Sequence, residues 1–355
     1  MIKSPWIWRR LHLRIVMRDL LRNQPTSISE IAHRLGTSTP TISQIMRRPI
    51  ECGLIVSTGQ KKGRGGRPKN LLRVKPSAVY ALVINVSSQF ISIALVDASL
   101  EVVMKKYREA ENHTFDVIES ILESFEELTS SVESNKLAGV SVILPSALEY
   151  LTERAVSNTL STLRGVKWRE LLEKKLQTKV VILSDVKAYA IGEWLRLRHI
   201  PWYYFYLHLG KTLDGVLISN GHVCEVNERP VGKVGGIVYA ADLGNDLRIT
   251  RLSEAYERTL HYIENRKSEG KTRMVYLLSI AVTNVVALMG VKHVILGGPY
   301  SELLELNDLL EIEQRVWKNC HKHDVTIEKS SAKDEAPFVG GAMHLFEEVF
   351  LPLEE

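Results

Sequence analysis

The sequence is poor in cysteine and has no apolar run long enough to cross a membrane. Its three cysteines, Cys52, Cys224 and Cys320, are odd in number and far apart, which argues against a disulfide framework and favours a reducing cytoplasm. The most apolar stretch, residues 276–290, is about 15 residues long and contains polar residues, whereas a spanning helix needs about 20 apolar residues. This stretch therefore predicts a buried helix, and no membrane partner is expected.

Acidic residues are scarce at the N-terminus. Residues 1–76 contain only Asp19, Glu30 and Glu51 against 16 Lys and Arg, while the rest of the chain has 38 acidic and 30 basic residues. The net charge of +5 therefore combines a segment of +13 with a body of −8. Such asymmetry predicts a polyanion-binding head on an acidic globular body. A chain of 355 residues should hold two or three domains, since one core stops growing at about 250–300 residues.

Three short helices are predicted in the basic head. Apolar residues recur at helical spacing over residues 11–24. The second helix should start at Ser27, because Glu30 three residues later completes a capping box. The third should start at the cap formed by Ser38 and Thr39. Short helices separated by tight turns predict a helix-turn-helix.

The outward face of the third helix has the chemistry of a DNA recognition helix. Short hydrogen-bonding groups near its start can reach base edges, and cations further along can reach phosphate or guanine. Pro49 is expected to kink or end the helix. The candidate DNA contacts in this part are Ser38, Thr39, Thr41, Ser43, Gln44, Arg47 and Arg48.

A β-hairpin with a basic loop is predicted after this helix. Apolar runs at residues 54–57 and 71–74 indicate two strands, and the loop between them is GQKKGRGGRPKN. Glycine lets the backbone lie close to DNA, and arginines that flank a glycine pair suit a narrow minor groove. A solvated linker is the alternative, but a linker need not lie between two apolar runs. The candidate contacts of this wing are Lys61, Lys62, Arg64, Arg67 and Lys69.

The acidic body shows two rounds of the same pattern. From Val79, alternating residues predict a strand meander followed by helix, strand, helix and strand, and a second meander starts at Tyr203. The second round contains a hairpin over Asn220 and Gly221. This repetition predicts two α/β lobes with a cleft between them.

Six segments of the chain carry motifs, in this order: GTSTPTISQIMRRPIECGLIVSTG with GRGGRPKNLLRV, LVINVSSQFISIALVD, GVSVILPSALE, VILSDVKAYAIGEW, LHLGKTLDGVLISNGHV and VKHVILGGPYSE. In order and spacing, these motifs resemble the ROK family of repressors, open reading frames and sugar kinases. The resemblance implies an N-terminal α(+β) winged helix-turn-helix over residues 1–76, followed by a two-lobed α/β body of the actin/hexokinase-like (ribonuclease H-like) fold. The first lobe would span residues 77–198, completed by a C-terminal helix at about 336–350, and the second, with a dimerisation surface, residues 199–335.

Departures from the family's kinase motifs argue against catalysis. The family's D-x-G-G-T aligns with residues 85–89, where Asn85 replaces the metal-organising carboxylate and the glycines have gained side chains. The glycine-rich second phosphate segment retains only Gly210, Thr212 and Gly215. Phosphoryl transfer depends on positioned cations and backbone donors, so an ATP-dependent enzyme is not expected.

The sugar and zinc motifs are also reduced. The family's E-x-G-H reads Lys233-Val234-Gly235-Gly236 and its cysteine-rich zinc knuckle is absent, so no zinc or other cofactor is expected. Asp185 aligns with the sugar-binding aspartate, and either a hydroxyl acceptor or a helix N-cap accounts for it. Lys233 could pair with Asp185 or bind a sugar phosphate or sugar acid. The candidate effector site is Asp185, Lys187 and Lys233.

These features predict a cytoplasmic, sequence-specific DNA-binding transcriptional regulator, a repressor of carbohydrate-related genes and not an enzyme. Its expected partners are a double-stranded DNA operator, a sugar or sugar-derivative effector, and further copies of the chain. A homodimer, or a dimer of dimers, is expected because one recognition helix reads only a half-site. Two alternatives remain open: a ROK-type sugar kinase with a regulatory head, and a regulator that no longer binds a sugar.

Overall fold

The computed structural model divides the chain into two compact units, each with a five-stranded mixed sheet. One unit comprises Met1–Ala188 with Pro337–Glu355, and the other Tyr189–Ala336. The structure describes residues 5–61, 68–87, 90–109, 117–130, 132–145, 168–226, 229–240, 249–265, 267–321 and 324–350.

The first unit begins with three helices and a hairpin. They are α1 (Pro5–Asn23), α2 (Ile28–Arg34), α3 (Thr39–Glu51), β1 (Ile55–Lys61) and β2 (Lys69–Val74). The capping box at Ser27 and Glu30 is confirmed, and so is the antiparallel pairing of the two strands. Leu20, Ile31 and Met46 are fully buried and form the centre of this segment.

The sequence predicts that Pro49 kinks or ends the third helix; the helix does not end there, because α3 continues to Glu51. A proline inside a helix removes one backbone hydrogen bond. Here that loss falls in the last turn, where the Cys52 amide still donates to the Arg48 carbonyl across 2.9 Å. The Pro49 ring is buried and so adds apolar packing that offsets the lost bond.

The first sheet has the strand order β5-β4-β3-β6-β7, with β3, β4 and β5 antiparallel and β3, β6 and β7 parallel. The predicted hairpin and meander are thereby confirmed. Core residues of α4 and α5 cover one face of this sheet. The elements are β3 (Tyr80–Val86), β4 (Phe90–Asp97), β5 (Val102–Glu109), α4 (Val117–Thr129), β6 (Leu137–Leu144), α5 (Trp168–Leu176), β7 (Val180–Ser184) and α6 (Asp185–Arg196).

The second sheet has the strand order β10-β9-β8-β15-β16, in which β8, β15 and β16 are parallel. The predicted turn is confirmed: Asn220 and Gly221 have φ of 52° and 72° between β9 and β10. The remaining elements are β8 (Tyr203–Leu209), β9 (Leu213–Ser219), β10 (His222–Val223), β11 (Glu225–Val226), β12 (Arg229–Pro230), β13 (Val238–Ala240), β14 (Ile249–Arg251), α7 (Leu252–Asn265), α8 (Lys267–Met289), β15 (His293–Gly297), α9 (Leu306–Cys320), β16 (Thr326–Lys329) and α10 (Ala336–Phe350).

Helix α8 contains the apolar stretch that the sequence marks as a buried helix. Its Leu278, Val282 and Val286 are buried in the core of the second unit, and Tyr276 and Leu288 are exposed. By length and composition alone α8 could cross a membrane, but half of its most apolar window is buried inside the protein.

Helix α10 lies on the first sheet. A Cβ atom added to Gly341 would approach Cγ1 of Val83 to 2.6 Å, and one added to Gly340 would clash with the Ala188 carbonyl oxygen. Only glycine permits both approaches.

The division between the two units falls within α6, directly after Ala188.

Candidate nucleic-acid interface

One side of helix α3 is polar and exposed to solvent, and the other side is apolar and buried. Ile42, Met46 and Pro49 are buried, which fixes the rotation of the helix. All seven candidate contacts of this segment are exposed: Ser38, Thr39, Thr41, Ser43, Gln44, Arg47 and Arg48. The structure therefore brings these residues together on one surface.

The hydroxyl groups at the start of α3 are partly occupied by the helix itself. Ser38 is the N-cap, and its Oγ accepts the Thr41 amide proton across 3.3 Å. The two hydroxyl groups of Ser38 and Thr41 are 2.7 Å apart. Within the described chain, the side chains of Thr39, Ser43 and Gln44 make no hydrogen bond, so these groups are available to a ligand.

The hairpin places two cations opposite each other. Lys61 and Lys69 are cross-strand partners at its end, and both are exposed. Like charges directly opposite each other destabilise a strand pair unless an anion is near. Lys61 also lies 3.8 Å from Glu30. The predicted contacts Lys62, Arg64 and Arg67 lie outside the described residues.

The sequence prediction missed three polar residues of this surface. Gln60 Nε2 donates to Asn70 Oδ1 across 3.1 Å, and this amide pair is exposed beside the lysines. Glu51 accepts a hydrogen bond from Arg47 Nε across 2.8 Å. The spacing of four residues was the signal that could have indicated the second pair.

Hydrogen bonds from α1 connect the basic N-terminal segment to the rest of its unit. Arg18 donates from Nε and Nη2 to the carboxylate of Glu347 on α10, across 2.5 and 2.7 Å. Both side chains are buried. The next residue, Asp19, accepts from Arg34 of α2 across 2.6 Å. One turn of α1 therefore contacts the last helix of the chain and the second helix of the head.

The candidate effector residues occupy different parts of the fold. Asp185 starts α6, and its Oδ1 accepts the Val186 amide proton across 2.7 Å, as a residue at a helix start can. Lys187 lies two residues after Asp185 in α6. Burial lowers the pKa of His344, and the charge of Lys187 adds to that effect. Lys233, which is half-buried, belongs to the other unit and precedes the turn Val234–Gly236.

Gly210 and Gly215, which match the second phosphate segment of the family, are both buried. A Cβ atom on Gly215 would lie 2.6 Å from the Phe205 ring, and the Gly215 amide donates to its neighbour Asp214 across 2.8 Å. The Gly210 carbonyl accepts a hydrogen bond from the buried Tyr256 hydroxyl across 3.1 Å. The Gly215 amide therefore donates to a carboxylate and is not free to bind a phosphate.

The other motif positions are equally enclosed. Asn85 is buried in the middle of the first sheet, opposite Ser92 on one side and Ile143 on the other. A Cβ atom on Gly235 would clash with the Leu213 carbonyl oxygen. In the described ranges no three His, Cys, Asp or Glu residues are grouped to hold a metal ion. Residues 241–248, in the region of the missing knuckle, are not among those described.

Glu193 of α6 supports a loop of the second unit. Its carboxylate accepts hydrogen bonds from the Ser330 hydroxyl across 2.7 Å and from the Ser331 amide across 3.1 Å. Burial raises the pKa of Glu193, although these donors oppose the shift. The geometry gives this residue a structural role.

Two curated relatives of this chain are named as a repressor and a transcriptional regulator. It is 22% identical over 190 residues to the xylose repressor of Bacillus subtilis (strain 168), covering 52% of this chain and 49% of that protein. It is 21% identical over 244 residues to the DNA-binding transcriptional dual regulator NagC of Escherichia coli (strain K12), covering 64% and 57%. The chain thus spans about half the length of the curated relatives that it matches.

Solved structures show the same fold. A ROK family transcriptional regulator, described as a homologue of the E. coli MLC protein, has a TM-score of 0.66 at 14% identity, with 98% of both chains covered. The ROK hexokinase from Thermus thermophilus has a TM-score of 0.57 at 13% identity, covering 77% of this chain and 99% of that one. Residues 82–238 match the model of the ROK family, so the resemblance is confirmed: the chain carries a ROK family domain.

Proposed function

We propose that this protein is a sequence-specific DNA-binding transcriptional repressor of carbohydrate-related genes, acting in the cytoplasm as a homodimer. Its residues 1–76 would form a winged helix-turn-helix. Residues 77–198 with the C-terminal helix, and residues 199–335, would form the two lobes of an actin/hexokinase-like body. The observation that carries the proposal is the exposed polar and cationic face of α3 above its buried face.

The hairpin supports the same conclusion on electrostatic grounds. Lys61 and Lys69 repel each other at its end, and the single carboxylate of Glu30, 3.8 Å from Lys61 Nζ, offsets only part of their charge. A phosphate backbone would relieve that repulsion and release counterions. The loop residues Lys62, Arg64 and Arg67 would then continue the cationic surface toward the minor groove.

The body is proposed to bind a sugar or sugar-derivative effector and to pair two copies. One relative is named a xylose repressor and another a DNA-binding transcriptional dual regulator. Asp185 and Lys187 of the first unit and, separately, Lys233 of the second unit are the candidate effector contacts, and each lysine could bind an anionic sugar derivative. Dimerisation would place two recognition helices on the half-sites of a palindromic operator.

The test is retention of genomic DNA by the full-length protein, with and without candidate sugars. We expect one or a few palindromic fragments to be retained, and their retention to change when the effector is added. Binding should be strongly salt-dependent, falling roughly 10³- to 10⁵-fold between 50 and 200 mM salt if 6–10 phosphates are contacted. Retention of no specific fragment, or a flat salt dependence, would contradict the proposal.

A second candidate is a sugar kinase with a regulatory head. The fold similarity to the Thermus thermophilus hexokinase favours it. The amide at Asn85 and the carboxylate of Asp214 next to the Gly215 amide disfavour it, because both weaken binding of metal-bound phosphate. Sugar-dependent ADP release from ATP across common hexoses would support the kinase.

A further inference from the structure

Arg47 and Glu51 form an exposed ion pair one helical turn apart on α3. Arg47 Nε donates to Glu51 Oε1 across 2.8 Å, and the side chains are 77% and 61% exposed. Among the residues that the structure describes, neither Nη group of Arg47 has a hydrogen-bond partner. The pair therefore holds one edge of the guanidinium and leaves the other edge open to a ligand.

Other arginines in the chain engage carboxylates differently. Arg18, Arg34 and Arg315 each donate from both Nε and Nη2 to a single carboxylate. Arg315 and its partner Glu311 are also exposed and also four residues apart on a helix. In that side-on arrangement the partner occupies one Nη group. Arg47 differs because its two Nη groups remain together as a parallel pair of donors.

Two parallel donors match one base edge in the major groove. Guanine presents N7 and O6 as adjacent acceptors there, and an arginine that meets them end-on uses Nη1 and Nη2. A phosphate accepts from an arginine in many orientations, so it needs no such fixed edge. The negative charge of Glu51 also weakens the attraction of this site for phosphate.

We propose that Glu51 is a positioning residue that holds Arg47 for end-on recognition of one guanine in each operator half-site. The inference rests on the proposed DNA-binding function and deepens it by naming the base that is read. Holding Nε restricts a long, flexible side chain before DNA arrives, which lowers the entropic cost of the contact. Glu51 thus acts through Arg47 and need not touch DNA itself.

The test compares full-length variants in selection from a randomised duplex library. The set is wild type, Arg47→Ala, Glu51→Gln and Glu51→Asp, with Glu311→Gln as the matched control because it breaks an exposed Arg–Glu pair of the same helical spacing. Wild type should prefer guanine at one position of each half-site by about 5- to 100-fold over other bases. Arg47→Ala and both Glu51 variants should lose that preference, and Glu311→Gln should keep it.

The salt dependence of DNA binding distinguishes the positioning effect of Glu51 from the effect of its negative charge. Glu51→Gln removes a negative charge, so it should bind non-specific DNA more tightly, with a log–log salt slope steeper by up to about 0.9 for one added phosphate contact. Glu51→Asp keeps the charge but is one methylene shorter, so it should lose the guanine preference with an unchanged slope. Thermal melting of each variant should match wild type, since both side chains are exposed.

Each outcome decides between the inference and the proposed function. If wild type selects no sequence, the proposed function fails and the inference fails with it. If wild type selects a motif but both Glu51 variants keep its guanine preference, the inference alone is refuted. The same holds if Arg47→Ala keeps that preference.

Discussion

Breaking the ion pair between Arg18 and Glu347 is expected to destabilise the first unit strongly. The guanidinium donates twice to the carboxylate, and the two side chains are only 3% and 7% exposed. The residues are 329 positions apart, so the pair fastens α1 to α10. Glu347→Gln removes the charge to which a buried guanidinium donates, and Arg18→Met removes the guanidinium from a buried carboxylate.

The magnitude follows from desolvation. Removing one partner of a buried pair costs about 3–5 kcal/mol, because the remaining charge stays in a medium of low polarity. Each single variant should lose about this much free energy of unfolding. The double variant Arg18→Met/Glu347→Leu should recover most of it, since an apolar pair of similar volume avoids that penalty. The buried Nη1 of Arg18, which has no partner in the described structure, favours this recovery.

The assay is urea denaturation followed by circular dichroism, analysed as a double-mutant cycle. The exposed pair of Lys292 and Asp324 supplies the control, and Asp324→Asn should leave the transition unchanged. The reasoning would be refuted if the single variants unfold at the wild-type urea concentration. It would also fail if the double variant loses the sum of the two single losses.

Three further predictions concern buried groups and close packing. Burial raises the pKa of Glu193, so the folded state favours the protonated form, and stability should fall as pH rises through that pKa; Glu193→Gln should flatten the profile in thermal melts. Burial lowers the pKa of His344 despite nearby carboxylates, so the unfolded chain binds more protons. Stability should therefore fall as pH drops below about 6.5, and His344→Gln should reduce that slope. Gly340→Ala forces a side chain against the α6 backbone and should cost about 1–3 kcal/mol in urea denaturation, whereas Gly236→Ala, with open space around it, should be neutral.

Elements with determinants close together in the chain were predictable. The capping box at Ser27 needs only Glu30, three residues away, and the hairpin at Asn220 needs only the glycine after it. Both residues of that turn have positive φ, which these two residue types tolerate best. Local chemistry therefore defined these boundaries without reference to the rest of the fold.

Boundaries that depend on tertiary context were not predictable. The apolar stretch that predicts α8 starts at residue 276, but the helix begins at Lys267. Its first turns contain Lys, Ser, Glu and Arg, so they show no apolar periodicity to mark them. The position of Pro49 inside α3 was not predictable for a related reason, because its burial is a property of the packed domain.

The most buried charges of the head were also beyond sequence reasoning. Arg18 is one of many arginines in a basic helix, and nothing near it in the chain indicates a carboxylate 329 positions later. Glu51 is different, since it lies four residues after Arg47, where helical side chains meet. Glu51 is one of only three acidic residues among residues 1–76, so its pairing with Arg47 was open to prediction from the sequence.

Gly215 shows why a retained motif residue does not establish a retained activity. In the kinase motif a glycine lets phosphate approach the backbone, but here a Cβ atom at this position would lie 2.6 Å from the Phe205 ring. Packing alone therefore excludes any larger residue, whether or not a nucleotide binds. The amide that a phosphate would need donates instead to the carboxylate of Asp214, which would repel an anion. The presence of Gly215 is therefore no evidence by itself that this site binds phosphate.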